Sequence, residues 1–250
     1  TNQAAILNAR GDLDGAMALK KEAERIWRQL GNLDGLSASL GNQAVIVKAR
    51  GDLDCAMALH KEQERICRQL GNLDGLHVSL GNQAGILYAR GDLEGAMALH
   101  KEEERICRQL GNLDGLQATL GNQALILRTR GDLDGAMALC KEKERICRQL
   151  GNLDGLRRTL GNQAGILYAR GDFDGAMALY KEQERICRQL GNPQGLATSL
   201  ANQAEALDKM GRSDEGLPLA EEAHRLATTH GYTGLARQIE PILNALRRMR

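Results

Sequence analysis

One forty-residue segment recurs along the chain, and this recurrence constrains the fold more than any other feature. Its clearest copy is residues 81–120, GNQAGILYARGDLEGAMALHKEEERICRQLGNLDGLQATL, and close copies begin at Gly41, Gly121 and Gly161. A copy without the first glycine begins at Thr1. A period of this length is typical of proteins that stack supersecondary units, because one unit is too small to bury its own apolar face. We therefore expect a solenoid of repeats.

Each copy carries the start and stop signals of two helices. In one copy, Gly51 would close a helix as its left-handed C-terminal residue, and Asp52 would accept hydrogen bonds from the free N–H groups of the next helix. A Gly-Asn pair follows the second helix in the same way. The pattern predicts helices at about Asp34–Arg50 and Leu53–Leu70, repeated every forty residues. β-Branched and aromatic residues are too sparse, and alternation is absent, so we expect no strands.

The first helix of each pair contains a polar residue inside its apolar stripe. Leu36, Leu40 and Val47 fall at helical spacing, and Gln43 lies on the same face. A buried glutamine must find a hydrogen-bond partner or it costs roughly 1–3 kcal/mol. Because the glutamine recurs in every copy, we expect its amide to bond across the helix pair, with the column of Gln63 as the candidate partner.

The copies divide the chain into six repeats and a different C-terminal segment. The predicted repeats are residues 1–40, 41–80, 81–120, 121–160, 161–200 and 201–229. The pattern degrades from Ala201, although Ser213 would cap one more helix. Residues 230–250 then place Leu235, Ile239, Ile242, Leu243 and Leu246 at helical spacing. A terminal unit must cover the last apolar face, so we expect this segment to be a capping helix.

The helix pair resembles the tetratricopeptide repeat, in the forty-residue form found in bacterial regulatory proteins and in the Leu-Gly-Asn-repeat scaffold. The residues that carry this resemblance in one copy are Leu80, Gly81, Asn82, Ala84, Leu87, Gly91, Asp92, Ala96 and Ile106. The resemblance covers residues 1–229. It implies an all-α fold, an α-solenoid of stacked antiparallel helix pairs in a right-handed superhelix with a concave groove. It implies no particular partner, because this fold hosts many.

Four cysteines occupy one column of the repeat. Cys67, Cys107, Cys147 and Cys187 are forty residues apart, and Trp27 fills the same column in the first copy. Equivalent positions of stacked helices lie ~8–10 Å apart, whereas a disulfide needs Cα atoms within about 7 Å. A tryptophan in the same column indicates apolar packing. We therefore expect reduced core cysteines in a cytoplasmic protein.

The charge and composition exclude several classes of function. Lys and Arg number 33 against 32 Asp and Glu, without a basic block, so we expect neither a nucleic-acid nor a membrane surface. No apolar run approaches the ~20 residues that span a bilayer. His60 and His100 share a column but are a whole repeat apart, with no catalytic constellation beside them. We therefore expect no zinc site, no enzymatic activity and no cofactor.

Differences between the copies gather in a few columns, which are the candidate partner-binding positions. At about 100° per residue, positions 37, 38, 45 and 48 share one arc of the first helix, opposite its apolar stripe. Tyr88, Tyr168 and Tyr180 lie in variable columns, and tyrosine is favoured at interfaces. Gly41 and its equivalents lie at the centre of the arc, where glycine would allow another backbone to approach. The alternative is that these columns are unconstrained between recent duplicates and that glycine serves helix packing.

An asparagine ladder flanks this arc. In similar repeats an asparagine here reaches the main chain of an extended peptide, which suits an amide that both donates and accepts. The alternative is a hydrogen bond between helices of the array. The complete set of candidate groove residues is Asn42, Val45, Lys48, His60, His77, Asn82, Gly85, Tyr88, His100, Gln117, Asn122, Leu125, Arg128, Arg157, Arg158, Asn162, Tyr168, Tyr180 and Asn202.

These patterns favour a protein- or peptide-binding module. Because the chain begins inside a repeat, we expect it to be the sensor or scaffold arm of a larger cytoplasmic protein with an effector domain elsewhere. One alternative is self-assembly into a homo-oligomer, with near-identical units stacking end to end. Another is a small-molecule effector site in the groove.

Overall fold

A computed structural model describes residues 12–248 of the chain. Regular structure in this range is entirely α-helical, as the sequence predicts. The helices are α1 (Leu13–Leu30), α2 (Leu33–Ala49), α3 (Leu53–Leu70), α4 (Leu73–Ala89), α5 (Leu93–Leu110), α6 (Leu113–Thr129), α7 (Leu133–Leu150), α8 (Leu153–Ala169), α9 (Phe173–Gln189), α10 (Pro193–Lys209), α11 (Ser213–Thr229) and α12 (Thr233–Arg248). The parts of the first repeat and of the cap that fall at residues 1–11 and 249–250 lie outside the described residues.

Consecutive helices pack against each other and build an all-α solenoid. We call α2, α4, α6, α8 and α10 the A helices, and the helices that follow each of them the B helices. In the first of two compact units, Thr1–Ile126, α4 packs against both α3 and α5. In the second unit, Leu127–Arg250, α10 packs against both α9 and α11. A helix therefore buries two faces, one for each neighbour.

The predicted caps end and start the helices. Gly51 and Gly71 have positive φ angles of 86° and 65°, in the left-handed region that glycine adopts without strain. The Asp52 carboxylate accepts a 2.9 Å hydrogen bond from the backbone N–H of Cys55, and the Asn72 side chain accepts one of 2.8 Å from Gly75. These local signals explain why the observed helix bounds lie within one residue of the predicted ones.

Apolar clusters between the helices form the core. In the first unit, Leu36 and Leu40 of α2 pack against Ile66 of α3, and all three side chains are buried. Fully burying one such side chain contributes about 1.5–3 kcal/mol. The equivalent cluster in the second unit contains Cys147, Leu156, Leu160 and Ile186. The repeat therefore propagates one small core along each unit.

The buried glutamine column bonds across helices, as predicted, but to another partner. Gln43 is 2% exposed, and its Nε2 donates a 2.7 Å hydrogen bond to Oε2 of Glu24 on the preceding B helix. The same 2.7 Å bond links Gln83 to Glu64, Gln123 to Glu104, Gln163 to Glu144 and Gln203 to Glu184. The expectation of a partner in the Gln63 column is wrong, because the neighbouring glutamate column supplies the charged acceptor and forms the stronger bond.

The last helices depart from the repeat. The expectation that Ser213 caps α11 is wrong: the N-cap position is Arg212, which makes no side-chain cap bond, and the Ser213 hydroxyl donates instead to Asp208 at 2.8 Å. Helix α12 packs against both α10 and α11 and buries Ile239, Leu243 and Leu246. It thereby covers the apolar side of the last pair, as a cap does.

All six cysteines are free, and those of the shared column are buried. A Cβ on Gly75 would lie 2.6 Å from the Sγ atom of Cys67, so glycine at this position makes room for the thiol. Burial, assisted by the charge of Glu103, raises the pKa of Cys107 to about 11. The column therefore consists of protonated packing thiols, as the sequence predicts.

Charged residues cover the exposed side of the B helices. Arg68 pairs with Glu64 of its own helix and with Glu102 of the next B helix, each at 2.8 Å. Such exposed pairs contribute about 0–1 kcal/mol each, so they favour the register of neighbouring repeats more than they stabilise the fold. No helix within residues 12–248 is long and apolar enough to cross a membrane.

Candidate partner-binding face

The exposed side of the A helices carries part of the predicted set. Val45 is 50% exposed and Leu125 is 37% exposed, although both are aliphatic. The exposed members of the set are Asn42, Val45, Lys48, Asn122, Leu125, Arg128 and Arg158. The half-buried members are His77, Asn82, Gly85, Tyr88, Arg157, Asn162, Tyr168 and Asn202. The buried members are His60, His100, Gln117 and Tyr180. We call the exposed and half-buried residues the A face.

The variable B-helix column is interior, which corrects its place among surface residues. His60, His100 and Tyr180 are 1%, 2% and 4% exposed. The Nδ1 atom of His60 lies 3.0 Å from Oε1 of Gln63, and burial lowers the pKa of this histidine. These residues are covered because a B helix is packed between two A helices. Their variation therefore changes what lies beneath the A face.

The column that begins each A helix is engaged in local contacts. The Nε2 atom of His77 lies 3.3 Å from the side-chain nitrogen of Asn112, the residue just before the next A helix. Gln117 is buried and donates a 3.0 Å hydrogen bond to Asp114 in its own helix. Arg157 likewise pairs with an aspartate three residues earlier, at 2.7 Å. Residues of this column therefore make polar contacts within the first turns of their own A helix or with the start of the next one.

The asparagine ladder follows neither of the two sequence-based alternatives throughout. Asn42 donates a 2.8 Å hydrogen bond to the carbonyl of Ala38, and Asn82 donates one of 3.0 Å to Val78, each within its own helix. The Asn122 side chain makes no hydrogen bond to any described residue. Its amide is therefore the one, among these three, that is left for another molecule.

Glycines of the A helices fall into two groups that the sequence alone does not separate. A Cβ on Gly81 would lie 2.5 Å from Oε1 of Glu103, and one on Gly161 would lie 2.5 Å from Nε2 of Gln183. These two glycines belong to the same column as Gly41, and here glycine makes room for a side chain of the next helix. This agrees with the helix-packing alternative for that column. By contrast, a Cβ on Gly165 would meet no atom within 4 Å. Open space beside a glycine in mid-helix has no explanation in internal packing.

The first open glycine, Gly85, lies at a small cavity in the first unit. A Cβ there would meet only Nζ of Lys48, at 3.7 Å. The cavity of about 80 Å³ is lined by Gly85, Tyr88, His100, Asn122, Leu125 and Ile126. We call this the first notch. Sequence reasoning did not isolate it, although a signal was present: glycine occurs together with tyrosine three residues later, and the neighbouring copies have an aliphatic residue together with a cation.

The equivalent positions eighty residues later form what we call the second notch: Gly165, Tyr168, Tyr180 and Glu205. Here the Tyr168 hydroxyl donates a 3.1 Å hydrogen bond to Oε1 of Glu205, and its ring lies edge-on to Phe173 at 5.3 Å between centroids. Burial, with the nearby charge of Glu205, raises the pKa of Tyr168 to about 12. The second notch therefore carries a carboxylate that is already bonded to the chain.

The A face of the first unit contains one cation, Lys48, and no carboxylate. Apart from one aspartate at the second position of each, α2 and α4 contain no acidic residue. Lys48 is exposed and makes no ion pair with the described residues. Glu103 lies beneath this face, buried, and Oε2 of its carboxylate is 2.8 Å from Nδ1 of His100. Within residues 12–248 no three His, Cys, Asp or Glu side chains are grouped as ligands for a metal ion.

Helix pairs that repeat in register, with glycine turns and small cores between neighbours, define an α-solenoid repeat protein. Residues 155–229 match the family model described as the tetratricopeptide repeat. Residues 155–229 are therefore similar to the tetratricopeptide repeat, and the described helix pairs share the fold of a solved structure with such a repeat sensor. Comparison with curated protein sequences gives no significant match.

Several solved structures share the fold at low sequence identity. A signal transduction ATPase with numerous domains from Pyrococcus horikoshii, which has a tetratricopeptide repeat sensor, aligns with a TM-score of 0.88 at 16% identity over 99% of this chain and 38% of its own. BtubC from P. vanneervenii aligns at 0.78 and 17% identity over 88% and 92%. A Rap protein complexed with competence and sporulation factor aligns at 0.66 and 13% identity over 99% and 73%. These likenesses concern the fold.

Proposed function

We propose that the chain is a protein- or peptide-binding module that reads its partner on the A face. The observation that carries this proposal is the pair of open mid-helix glycines, Gly85 and Gly165. Glycine inside a helix costs about 1 kcal/mol relative to alanine, and neither glycine is required by a neighbouring side chain. Close approach of another molecule accounts for this cost, since a backbone can lie against a helix only where no Cβ intervenes.

Exposed apolar residues on the A helices of the first unit support the same function. Val45, Val78 and Leu125 are all more than a third exposed on A helices of the first unit. Scattered exposed aliphatics are ordinary, but these occur on successive A helices. Tyr88 and Tyr168 add aromatic rings of the kind that anchor interfaces. The A face thus offers apolar contact, aromatic anchors and cations in one set of columns.

The relatives in fold support a sensing or scaffolding context. One is a signalling ATPase with a repeat sensor, and another is a Rap protein in complex with a signalling factor. We propose that this module is likewise the sensor or scaffold arm of a longer cytoplasmic protein, with an effector domain in the same chain. The module itself performs no catalysis in this proposal.

The test is a binder selected from a displayed library of protein fragments, with its affinity measured by calorimetry. Changing Tyr88→Ala, Arg128→Glu and Tyr168→Ala together should weaken binding at least a hundredfold, because interface anchors contribute about 2 kcal/mol or more each. Circular dichroism of the triple variant checks that the helices remain.

The matched control is a group of exposed B-helix arginines changed to alanine, namely Arg65, Arg105 and Arg185. These should leave affinity within about twofold, since exposed charges away from an interface contribute little. If the control group abolishes binding and the A-face group does not, the partner lies on the B helices and the proposal is wrong.

A further inference from the structure

The first notch combines an open glycine, a small cavity and polar groups that have no partner among the described residues. We infer that it is a socket for one small aliphatic side chain of an extended peptide, at a point where the peptide also carries a carboxylate. This inference rests on the binding function proposed above and specifies the ligand for one position of the A face.

Of the three glycines within helix α4, only Gly85 has free space where a side chain would be. In the same helix, Gly75 is packed against Cys67 and Gly81 against Glu103, at 2.6 and 2.5 Å from a would-be Cβ. Gly85 faces space that only the tip of Lys48 approaches, at 3.7 Å. An extended main chain can therefore reach the helix surface at Gly85, whereas any side chain here would hold it away.

The cavity at Gly85 sets the size of the side chain that enters. Its volume is about 80 Å³, against roughly 30 Å³ for one molecule of liquid water. This space suits a branched group of three or four carbon atoms, which is smaller than an aromatic ring. Leu125 and Ile126 supply apolar walls, and the ring of Tyr88 supplies another. Burying such a group contributes through the area removed from water.

Polar groups around the cavity are left without partners by the chain itself. The Tyr88 hydroxyl and the Asn122 amide make no hydrogen bond to the described residues. His100 is buried and lines the cavity; its Nδ1 faces Glu103, and its Nε2 has no partner among residues 12–248. Asn122 is exposed and Tyr88 is half-buried, so water satisfies them in the free protein, and each can instead bond a ligand that donates and accepts, as a peptide main chain does.

The charge of Lys48 indicates which charged group the peptide should carry next to the aliphatic side chain. Lys48 has no ion-pair partner in the described chain and stands directly over Gly85. The facing helices α2 and α4 have no exposed carboxylate beyond their second residue. A carboxylate on the peptide, adjacent to the aliphatic side chain, would pair with this ammonium group. A basic peptide would gain nothing at this position.

The experiment is selection of a random heptapeptide library, displayed on phage, against the full chain. The wild-type protein should enrich Val, Ile or Ala next to Asp or Glu at least tenfold over the starting library. Gly85→Leu should remove this enrichment, since the leucine fills the notch. Lys48→Glu should change the flanking preference from Asp and Glu to Lys and Arg.

Two further variants separate binding from folding. Ala58→Leu places the same side chain at an exposed position of the B helix α3, away from the A face, and should leave the acidic–aliphatic preference intact. Gly85→Ala should raise the melting temperature, because alanine favours the helix, and still weaken the selected peptides at least fivefold. A loss of stability cannot produce that combination.

The outcomes distinguish the socket from the function on which it rests. If peptides are enriched but the preference is aromatic or basic, or survives Gly85→Leu, the socket is wrong and the binding module stands. If the wild-type chain enriches no peptide and the fragment selection also fails, the binding function is wrong, and the socket with it.

Discussion

The two notches share a glycine and a tyrosine at equivalent positions, but they differ in the residue opposite the tyrosine. Both have an open glycine and a tyrosine three residues later on an A helix. In the first notch the residue opposite the tyrosine is Leu125, and the Tyr88 hydroxyl has no partner among the described residues. In the second it is Glu205, which accepts the hydrogen bond of Tyr168. One position in the repeat decides whether the tyrosine is available or engaged.

The floor of each notch differs as well. His100 lies under the first, and Tyr180, a larger side chain, occupies the same column in the second unit. Because this column is buried at His60, His100, Cys140 and Tyr180, a change at these positions alters cavity shape without altering the exposed surface. In the proposed binding function, specificity would therefore depend on two layers, an exposed A-helix residue and a covered B-helix residue.

The largest effect should come from alanine at the two glycines of α8. At Gly161 the new Cβ would lie 2.5 Å from the Gln183 amide, whereas at Gly165 it meets nothing within 4 Å. We expect Gly165→Ala to stabilise the fold by about 1 kcal/mol through helix propensity. Gly161→Ala should destabilise it by about 1 kcal/mol, because crowding outweighs that gain. Urea denaturation measures the difference.

A double variant tests the cause of that difference. Oε1 of Gln183 is buried without a partner, so Gln183→Ala removes the crowding at small cost. The last repeat already combines Ala201 with Ala223 at these two positions, both buried. Gly161→Ala with Gln183→Ala should thus recover stability beyond the sum of the single changes. Strict additivity would show that the glycine and the glutamine do not interact.

The helices and their ends were predictable from the sequence because their signals are local. Gly51 and Asp52 are adjacent, and their φ angle and cap bond depend on neighbouring residues only. The apolar stripe likewise identified Leu40 as a core residue. Forty-residue repetition then extended one pair to the whole array.

The two layers of the notches were not predictable, because they depend on contacts between separate helices. Gly81 and Gly85 lie on one helix with the same composition around them, and only a side chain of the next helix distinguishes them. His60 and Tyr180 looked variable and therefore exposed, but a helix covered on two sides buries variable positions too. A comparison of the copies shows which positions vary, but it does not show whether those positions are buried or exposed.

A charge placed in the first notch should make it resemble the second. Leu125→Glu puts a carboxylate opposite Tyr88, in the position that Glu205 has opposite Tyr168. Peptides selected on the wild-type chain should bind about tenfold more weakly, a loss of about 1.4 kcal/mol, because the carboxylate repels an acidic ligand and engages the tyrosine. Fluorescence anisotropy measures this, with Leu110→Glu on the B helix α5 as the control, because Leu110 is 36% exposed and lies outside the A face.

Removing the two tyrosine hydroxyls should distinguish the notches by a smaller amount. Tyr168→Phe breaks the bond to Glu205 and should cost about 0.5–1.5 kcal/mol of unfolding free energy. Tyr88→Phe removes a hydroxyl that bonds no described residue, so stability should stay within about 0.5 kcal/mol. Equal losses in thermal denaturation would mean that the two tyrosines are equivalent after all.

The smallest effect concerns the alkaline titration of the second notch. Burial is the main cause that raises the pKa of Tyr168 to about 12, and the charge of Glu205 is the next. The phenol of an unfolded chain loses its proton at about pH 10. The folded state therefore holds a proton that the unfolded state has lost, and this contribution to stability, complete below pH 10, falls as the pH rises towards 12. Glu205→Gln should lower the pKa of Tyr168 only in part, because burial remains. Tyrosinate absorbance measures the shift against Tyr168→Phe, and a pKa unchanged by Glu205→Gln would show that the carboxylate does not act on the hydroxyl it bonds.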